Sequence, residues 1–417
     1  MSTYQRNHYV PQWYQHLFLP DDLSEKKFHY LDLYPETKTR PGGYRYKRKD
    51  LLRWGPSRCF YEDDLYTSRL GDWKSTEIEE YFFGRLDAIG KKAVEYFSAF
   101  QHPSVDTKAF HALLPYMTVQ KLRTPKGLTH LANRTNTDDH NHVLVVMQQL
   151  QHLYCALWTE CVWSIADASQ SATKFIVSDH PVTVFNEACF PGSKWCRDAN
   201  DPDIWLSGTH TLFPLGLEKI LILTNLSWAR NPYMDPLSER PHKELLRQAM
   251  FNFTNIQSGR HLSDEEVNQI NYIIKQRANR YIAAAEKEWL YPELKYKIPR
   301  WDKLGSSYLL MPDPRSMTFS SEIYIGHKDG STDAFDEYGR RPWHQDYGDK
   351  SRHTLEWETF HAFQGEYARL FGPKRRGQSF NFSKLDKEAD DPDYHKYHLG
   401  LEQKYKPRSH KRRRRKK

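Results

Sequence analysis

The sequence predicts an α+β fold in which helices pack on a small mixed or antiparallel sheet, followed by an irregular C-terminal extension and a disordered basic tail. Short runs of β-branched and aromatic residues between turn residues indicate strands, as in residues 175–186 and 211–224. Longer segments repeat apolar residues at helical spacing, as in residues 76–98 and 263–289. The two kinds of segment alternate irregularly, which is typical of an α+β domain.

The N-terminal part is predicted to begin with strands and to continue with helices. Residues 27–34 are rich in strand-forming residues, and the Pro-Gly-Gly turn at residues 41–43 favours a hairpin. Helices are then expected over residues 76–98, 106–123 and 140–165. The second of these should end at residue 123, because the residue before a proline disfavours the helical conformation.

Residues 175–186 are the most informative stretch of the central region. They combine an apolar strand, the polar turn Ser-Asp-His-Pro and a second strand. Two more strands are predicted over residues 211–216 and 220–224. A capping box at Ser263 opens a helix expected to reach about residue 289, and a last helix is expected over about residues 355–370.

Composition divides the chain into three parts. Residues 1–295 are predicted to form the α+β core domain, and residues 296–371 a C-terminal extension rich in Pro, Gly, Trp, His and charges. Residues 372–417 are polar and charged enough to predict disorder, ending in a basic tail. The extension is a candidate docking surface for a protein partner.

The formal charge of +8 is a property of the tail. The last twelve residues hold nine basic residues and no acid, which leaves the preceding 405 residues with a charge of −1. Such a tail attracts phosphates without reading sequence, so we expect RNA or DNA as the partner. The residues expected to bind it are Lys406, Arg408, Lys411, Arg412, Arg413, Arg414, Arg415, Lys416 and Lys417.

The cysteine pattern and the hydropathy predict a cytoplasmic protein without membrane association. Five cysteines form no paired CxxC pattern, and the odd count argues against a secreted disulfide framework. No run approaches the roughly 18 apolar residues of a spanning helix. Neither Cys189 with Cys196 nor the histidines near residue 140 match a zinc spacing, so we predict no metal at either place.

Several motifs in a fixed order resemble a widespread microbial family of domains of unknown function, whose members typically start with His-Tyr-Val-Pro. The resemblance covers about residues 7–290. It implies a shared site built from these motifs and, more loosely, a place in defence or toxin-like modules. Many relatives have Asn where this chain has His180, so a role that needs an amide there is not expected to transfer. The motifs are residues 7–14 (Asn-His-Tyr-Val-Pro-Gln-Trp-Tyr), 59–67 (Cys-Phe-Tyr-Glu-Asp-Asp-Leu-Tyr-Thr), Ile78-Glu79 with Leu86-Asp87, 120–125 (Gln-Lys-Leu-Arg-Thr-Pro), 175–182 (Phe-Ile-Val-Ser-Asp-His-Pro-Val) and 213–216 (Phe-Pro-Leu-Gly).

The site hypothesis is that polar residues of these motifs converge on one cleft. Carboxylates could hold Mg²⁺ or Mn²⁺, a histidine could move a proton, and an arginine could neutralise a phosphate. This inventory suits phosphodiester cleavage. The proposed catalytic residues are His8, Arg123, Asp179 and His180, and the proposed metal ligands are Glu79, Asp87 and Asp179.

The same residues have a structural interpretation. Asp179 could form an Asx turn before Pro181, and Arg123 could pair with a helix acid. Glu79 and Asp87 lie at a spacing that is most often a solvated helix stripe. The sequence does not decide between these interpretations.

The leading functional hypothesis is an intracellular nucleic-acid-interacting protein, in its most specific form a metal-dependent nuclease or defence effector. One alternative is a non-catalytic module that binds RNA-protein or protein partners. Another is a hydrolase or transferase acting on a small molecule, with Asp179 and His180 as acid and base. The sequence does not establish that the protein is an enzyme; if it is one, phosphodiester hydrolysis is favoured.

Overall fold

A computed structural model describes residues 6–40, 42–100, 107–196, 199–240, 256–305, 307–317, 322–326, 329–336, 341–373, 378–379 and 391–405. The helices are α1 Gln12–His16, α2 Gly84–Ser98, α3 Thr107–Leu122, α4 Pro125–Thr135, α5 His140–Gln149, α6 Cys155–Thr159, α7 Leu226–Arg230, α8 Asp264–Arg277, α9 Pro292–Lys295, α10 Trp301–Leu304, α11 Lys350–Phe371 and α12 Pro392–Lys404. A π-helical segment, Ile78–Phe83, leads into α2.

The strands are short, as the sequence predicted. They are β1 Arg6–His8, β2 Phe28–Asp32, β3 Thr37–Thr39, β4 Arg45–Lys47, β5 Leu51–Trp54, β6 Tyr61–Asp63, β7 Ser68–Leu70, β8 Trp73–Ser75, β9 Cys161–Asp167, β10 Val177–Ser178, β11 Thr183–Phe185, β12 His210–Pro214, β13 Lys219–Asn225, β14 Ile256–His261, β15 Tyr281–Ala284, β16 Glu322–Gly326, β17 Thr332–Asp336 and β18 Gln378–Ser379.

Two sheets organise the core. The larger has the order β11-β12-β13-β9-β14-β18, and all its pairs are antiparallel except β14 with β9. The smaller is antiparallel with the order β10-β15-β2-β5. Helices α2 and α3 contribute buried side chains to the same apolar core, so the α+β prediction is confirmed.

The two halves of the central stretch belong to different sheets. Strand β10 pairs with β15 in the smaller sheet, and β11 pairs with β12 in the larger one. The polar turn between them therefore crosses from one sheet to the other. Asp179 and His180 lie at this crossing and are buried, with 2% and 1% of their surface exposed.

Two predicted helices are shorter than the sequence indicated. The helix expected over residues 140–165 ends at Gln149, and its last part is strand β9, which pairs with β13 and β14 on its two sides. The helix from Ser263 ends at Arg277 because Ala278 adopts an extended conformation, and Tyr281–Ala284 form strand β15. In both places strand pairing in the sheet outweighs helical spacing.

The region beyond Gly372 was predicted to be disordered, and two described parts of it are ordered. Gln378 and Ser379 pair with β14, and α12 packs on α11. The helices approach closely at Gly365, where an added Cβ would lie 2.4 Å from the backbone nitrogen of Glu402. In the part of the chain that the structure describes, no helix has the length and apolar composition needed to cross a membrane.

Candidate functional site

A cavity of about 500 Å³ lies beside the sheet crossing. It is bordered by the end of α3, by α4 and by the loop between β11 and β12. The turn from α3 to α4 is tight, because an added Cβ at Gly127 would lie 2.3 Å from the carbonyl oxygen of Lys121. This tight turn places Lys121 and Lys126 on the same cavity.

His180 is held at both ring nitrogens. Its Nδ1 lies 2.8 Å from the hydroxyl of Thr124, and its Nε2 lies 3.1 Å from the ammonium of Lys121. Nε2 also lies 3.3 Å from Oδ2 of Asp201. An ammonium group only donates, so the contact with Lys121 is a hydrogen bond in the tautomer that carries its proton on Nδ1. Burial lowers the pKa of His180 to about 3, and the neutral ring therefore positions Lys121.

Lys121 uses all three of its N–H bonds. They are directed at His180, at the carbonyl oxygen of Val182 at 3.3 Å, and at Oδ2 of Asp201 at 2.8 Å. Lys126 donates to Oδ1 of Asp201 at 2.6 Å and to the carbonyl oxygen of Arg277 at 2.7 Å. Two ammonium groups thus share one carboxylate.

This arrangement leaves an excess positive charge at the cavity. The two lysines hold the pKa of Asp201 well below its usual range against the opposing effect of burial, so Asp201 is ionised. Burial, with the nearby charges of Lys121 and Arg277, lowers the pKa of Lys126. In the described residues one N–H of Lys126 has no protein acceptor. An anion in the cavity would supply both the missing charge and the missing acceptor.

The outer wall of the cavity is basic and aromatic. Arg134 and Lys194 line it and are exposed, while Tyr154, Trp195 and Trp205 supply rings. The Lys194 ammonium lies 5.0 Å from the ring centre of Trp195, whose surface is 45% exposed. The cavity thus offers cations and flat apolar surfaces together.

Asp179 accepts its hydrogen bonds from the backbone, although the charge of Lys126 is near enough to lower its pKa. Its carboxylate accepts hydrogen bonds from the backbone nitrogens of Asn279, Arg280 and Tyr281 at 2.6 to 2.8 Å. It therefore connects the end of β10 to the start of β15, a longer-range contact than the Asx turn that the sequence suggested. Burial raises the pKa of Asp179 to about 6, although these three hydrogen bonds lower it.

Glu79, Asp87 and Arg123 form a second cluster between the start of α2 and the end of α3. Asp87 pairs with the buried Arg123 at 3.0 Å, which is the helix-acid pair of the structural interpretation. Arg123 also donates to the side chain of Gln120. Burial raises the pKa of Glu79 to about 7, against the opposing charge of Arg123.

The predicted site residues therefore lie in separate places. No hydrogen bond or ion pair between described residues joins Asp179 to Glu79 or Asp87. Within the described ranges no three His, Cys, Asp or Glu side chains are grouped so that they could hold a metal ion. His8, on β1, lies 3.5 Å from the side chain of Gln12, and burial lowers its pKa.

The tail residues expected to bind nucleic acid, Lys406 to Lys417, lie outside the described residues. The cavity residues that sequence reasoning missed are Lys121, Thr124, Lys126 and Asp201. Lys121 and Thr124 lie inside the motif at residues 120–125, which carried a signal for them, and Lys126 directly follows that motif. Asp201 lies in the loop between β11 and β12, and no motif of the sequence marked it as a site residue.

Comparison with known proteins adds a family and no activity. Residues 6–288 match the family model described as "Protein of unknown function (DUF4238)". No curated protein and no solved structure gave a match to the chain. The matched range includes every cavity residue named above, so the cavity lies within the family's domain.

Proposed function

The chain belongs to the DUF4238 family, and on that premise we propose that it is a nucleic-acid-interacting protein that binds a nucleotide phosphate in the cavity beside His180. The observation that carries the proposal is the pair of buried lysines sharing the single carboxylate of Asp201. An uncompensated buried charge is costly, and a phosphate would neutralise it.

The remaining features of the cavity fit the rest of a nucleotide. Its volume of about 500 Å³ lies within the usual range for ligand pockets of roughly 300–1,000 Å³. Trp195 and Trp205 can stack on a base without selecting its identity, and Arg134 and Lys194 can meet further phosphates of a strand. The basic tail would add sequence-independent attraction to the same partner.

The proposal concerns binding and assigns no cleavage step. The groups at the cavity hold and orient an anion, and His180 is occupied in positioning Lys121. The proposed metal ligands Glu79 and Asp87 lie at the Arg123 cluster, so a metal-dependent nuclease has less support from the geometry than a phosphate-binding site.

Binding of labelled single-stranded RNA and DNA, of a nucleoside monophosphate and of inorganic phosphate tests the proposal. The variants Arg134→Gln and Lys194→Ser change exposed groups and should each weaken strand binding on the order of fivefold. Lys287→Ser, an exposed lysine that does not line the cavity, is the matched control.

The outcomes separate the alternatives. Binding of the monophosphate without binding of either strand would replace the nucleic-acid partner by a small molecule. No binding of any phosphate ligand, or equal binding by wild type and both cavity variants, would overturn the proposal.

A further inference from the structure

Cys189 and Cys196 form a pair of thiols in the loop between β11 and β12. Both side chains are buried in one small apolar cluster with Leu206. Cys196 Sγ also lies 3.7 Å from the carbonyl oxygen of Cys189. Two thiols that pack in one cluster on the same short loop are candidates for a disulfide.

Arg277 makes the two thiols unequal. Its Nη1 donates to Cys196 Sγ at 3.4 Å and to the carbonyl oxygen of Asn200 at 2.6 Å, and its Nη2 donates to the carbonyl oxygen of Cys189. The guanidinium is fully buried, so its charge acts on Cys196 with little screening by water. A cation beside a thiol stabilises the thiolate, which is the reactive form.

The chemistry of the other cysteines supports the same assignment. The neighbouring Cys189 thiol, with the charge of Arg277, lowers the pKa of Cys196. Burial raises the pKa of Cys59 to about 12 and that of Cys155 to about 11, and it also raises that of Cys161. Cys196 is thus the cysteine with most thiolate at neutral pH.

The pair lies just beneath the surface. Cys189 and Cys196 are buried, but their sequence neighbours Phe190 and Trp195 are 57% and 45% exposed. Because both thiols are buried, only a small oxidant could reach sulfur. Neither thiol is used in the cavity described above.

We infer that Cys189 and Cys196 are a peroxide-sensitive dithiol site, in which Cys196 attacks and Cys189 resolves. The Cys196 thiolate attacks one oxygen of hydrogen peroxide, an S–O bond forms, and the O–O bond breaks to release hydroxide, which takes up a proton to give water. The Cys189 sulfur then attacks Cys196, the S–S bond forms and the S–O bond breaks. The departing hydroxide leaves as a second water with the proton of Cys189, so sulfur is oxidised and peroxide is reduced.

Peroxide treatment of the reduced full chain, followed by thiol alkylation and peptide mass spectrometry, tests the site. We expect a Cys189–Cys196 disulfide, with Cys196 reacting on the order of tenfold faster than Cys155 at pH 7. Cys189→Ser should stop at a sulfenic acid on Cys196, which a cyclic dione traps. Cys196→Ser should leave Cys189 as a thiol.

Cys155→Ser is the matched control and should leave the disulfide yield unchanged. Circular dichroism before and after treatment shows that the chain remains folded. Oxidation of Cys155 at the rate of Cys196, or a folded wild type that forms no disulfide, would overturn the inference. Because the test measures sulfur chemistry alone, its result is independent of phosphate binding in the cavity.

Discussion

Lys121 and Asp201 form a 2.8 Å ion pair although they are 80 residues apart in the chain. Lys121 lies at the end of α3, and Asp201 belongs to the loop that follows β11. Both side chains are largely buried, at 10% and 11% exposure, and Lys126 reaches the same carboxylate. The pair therefore fixes the loop against the helices and determines the charge of the cavity.

The first prediction is that Asp201→Asn destabilises the fold and strengthens phosphate binding. The amide leaves two buried ammonium groups without a counter-charge, so we expect a loss of about 3 kcal/mol or more in the free energy of unfolding. Urea denaturation measures it. Added inorganic phosphate should recover more stability in the variant than in wild type, because it replaces the missing negative charge.

Asp203→Asn is the control for this variant. Its side chain is 45% exposed and lies 3.8 Å from Arg134. Asparagine keeps the oxygen that accepts from the backbone nitrogen of Trp205, so the change should stay within about 0.5 kcal/mol. Similar losses of unfolding free energy in Asp201→Asn and Asp203→Asn would show that the buried ion pair contributes no more to stability than an exposed one.

The second prediction concerns Asp179, which we expect to act on stability. Asp179→Ala leaves three partly buried backbone N–H groups without their acceptor and should cost about 3 kcal/mol. Asp179→Asn keeps one acceptor oxygen, so its free energy of unfolding should fall by less than that of Asp179→Ala. Thermal and urea unfolding measure the stability of both variants relative to wild type. Asp302→Ala is the control, because Asp302 is an exposed partner of Arg300.

The third prediction is a pH dependence from His180. Its pKa is lowered to about 3 in the fold, so the unfolded chain binds the extra proton below pH about 6.5. The contribution of His180 is therefore complete above pH 6.5 and is lost as the pH falls toward 3. Protonation would place a charge beside the Lys121 ammonium, and the Asp201 carboxylate, 3.3 Å from the same ring nitrogen, would offset part of that repulsion.

His180→Gln isolates this effect from other titrating groups. Glu79 and Asp179 have raised pKa values, so between about pH 4 and 7 they increase the free energy of unfolding as the pH falls, whereas His180 decreases it. The pH dependence of wild-type stability is therefore the sum of two opposing effects. The slope of unfolding free energy against pH should be smaller in the variant by about 1.4 kcal/mol per pH unit below pH 6.5. Equal slopes would contradict a neutral buried His180, and His16→Gln, at an exposed position, is the control.

Local pattern was enough to predict several of the longer helices and the central strands of this fold. The capping box at Ser263 and the break before Pro125 mark helix ends, and the strand-turn-strand prediction for residues 175–186 is confirmed by β10 and β11. Strand β9 was missed because its residues continue a helical spacing, and only the pairing with β13 and β14 selects the strand.

Only some of the cavity residues could be predicted from the sequence. His180 stands out because a polar turn interrupts an apolar strand, and Lys121 lies in a motif that the resemblance had marked. Asp201 sits in a loop without any local signal, and it meets Lys121 and Lys126 through tertiary contacts alone. Sequence order likewise could not show that Glu79 and Asp87 lie beside Arg123 whereas Asp179 accepts from the backbone of residues 279–281.

The fourth prediction separates the tail from the cavity. Ending the chain at Tyr405 removes nine basic residues and should weaken binding to single-stranded RNA or DNA. The dependence of the logarithm of affinity on the logarithm of salt concentration should become shallower by about 0.7 for each phosphate that the tail neutralises in the full chain. Binding of a nucleoside monophosphate should stay unchanged, because the proposed phosphate site lies among Lys121, Lys126 and Asp201. An unchanged salt slope after truncation would mean that the tail does not bind the nucleic acid.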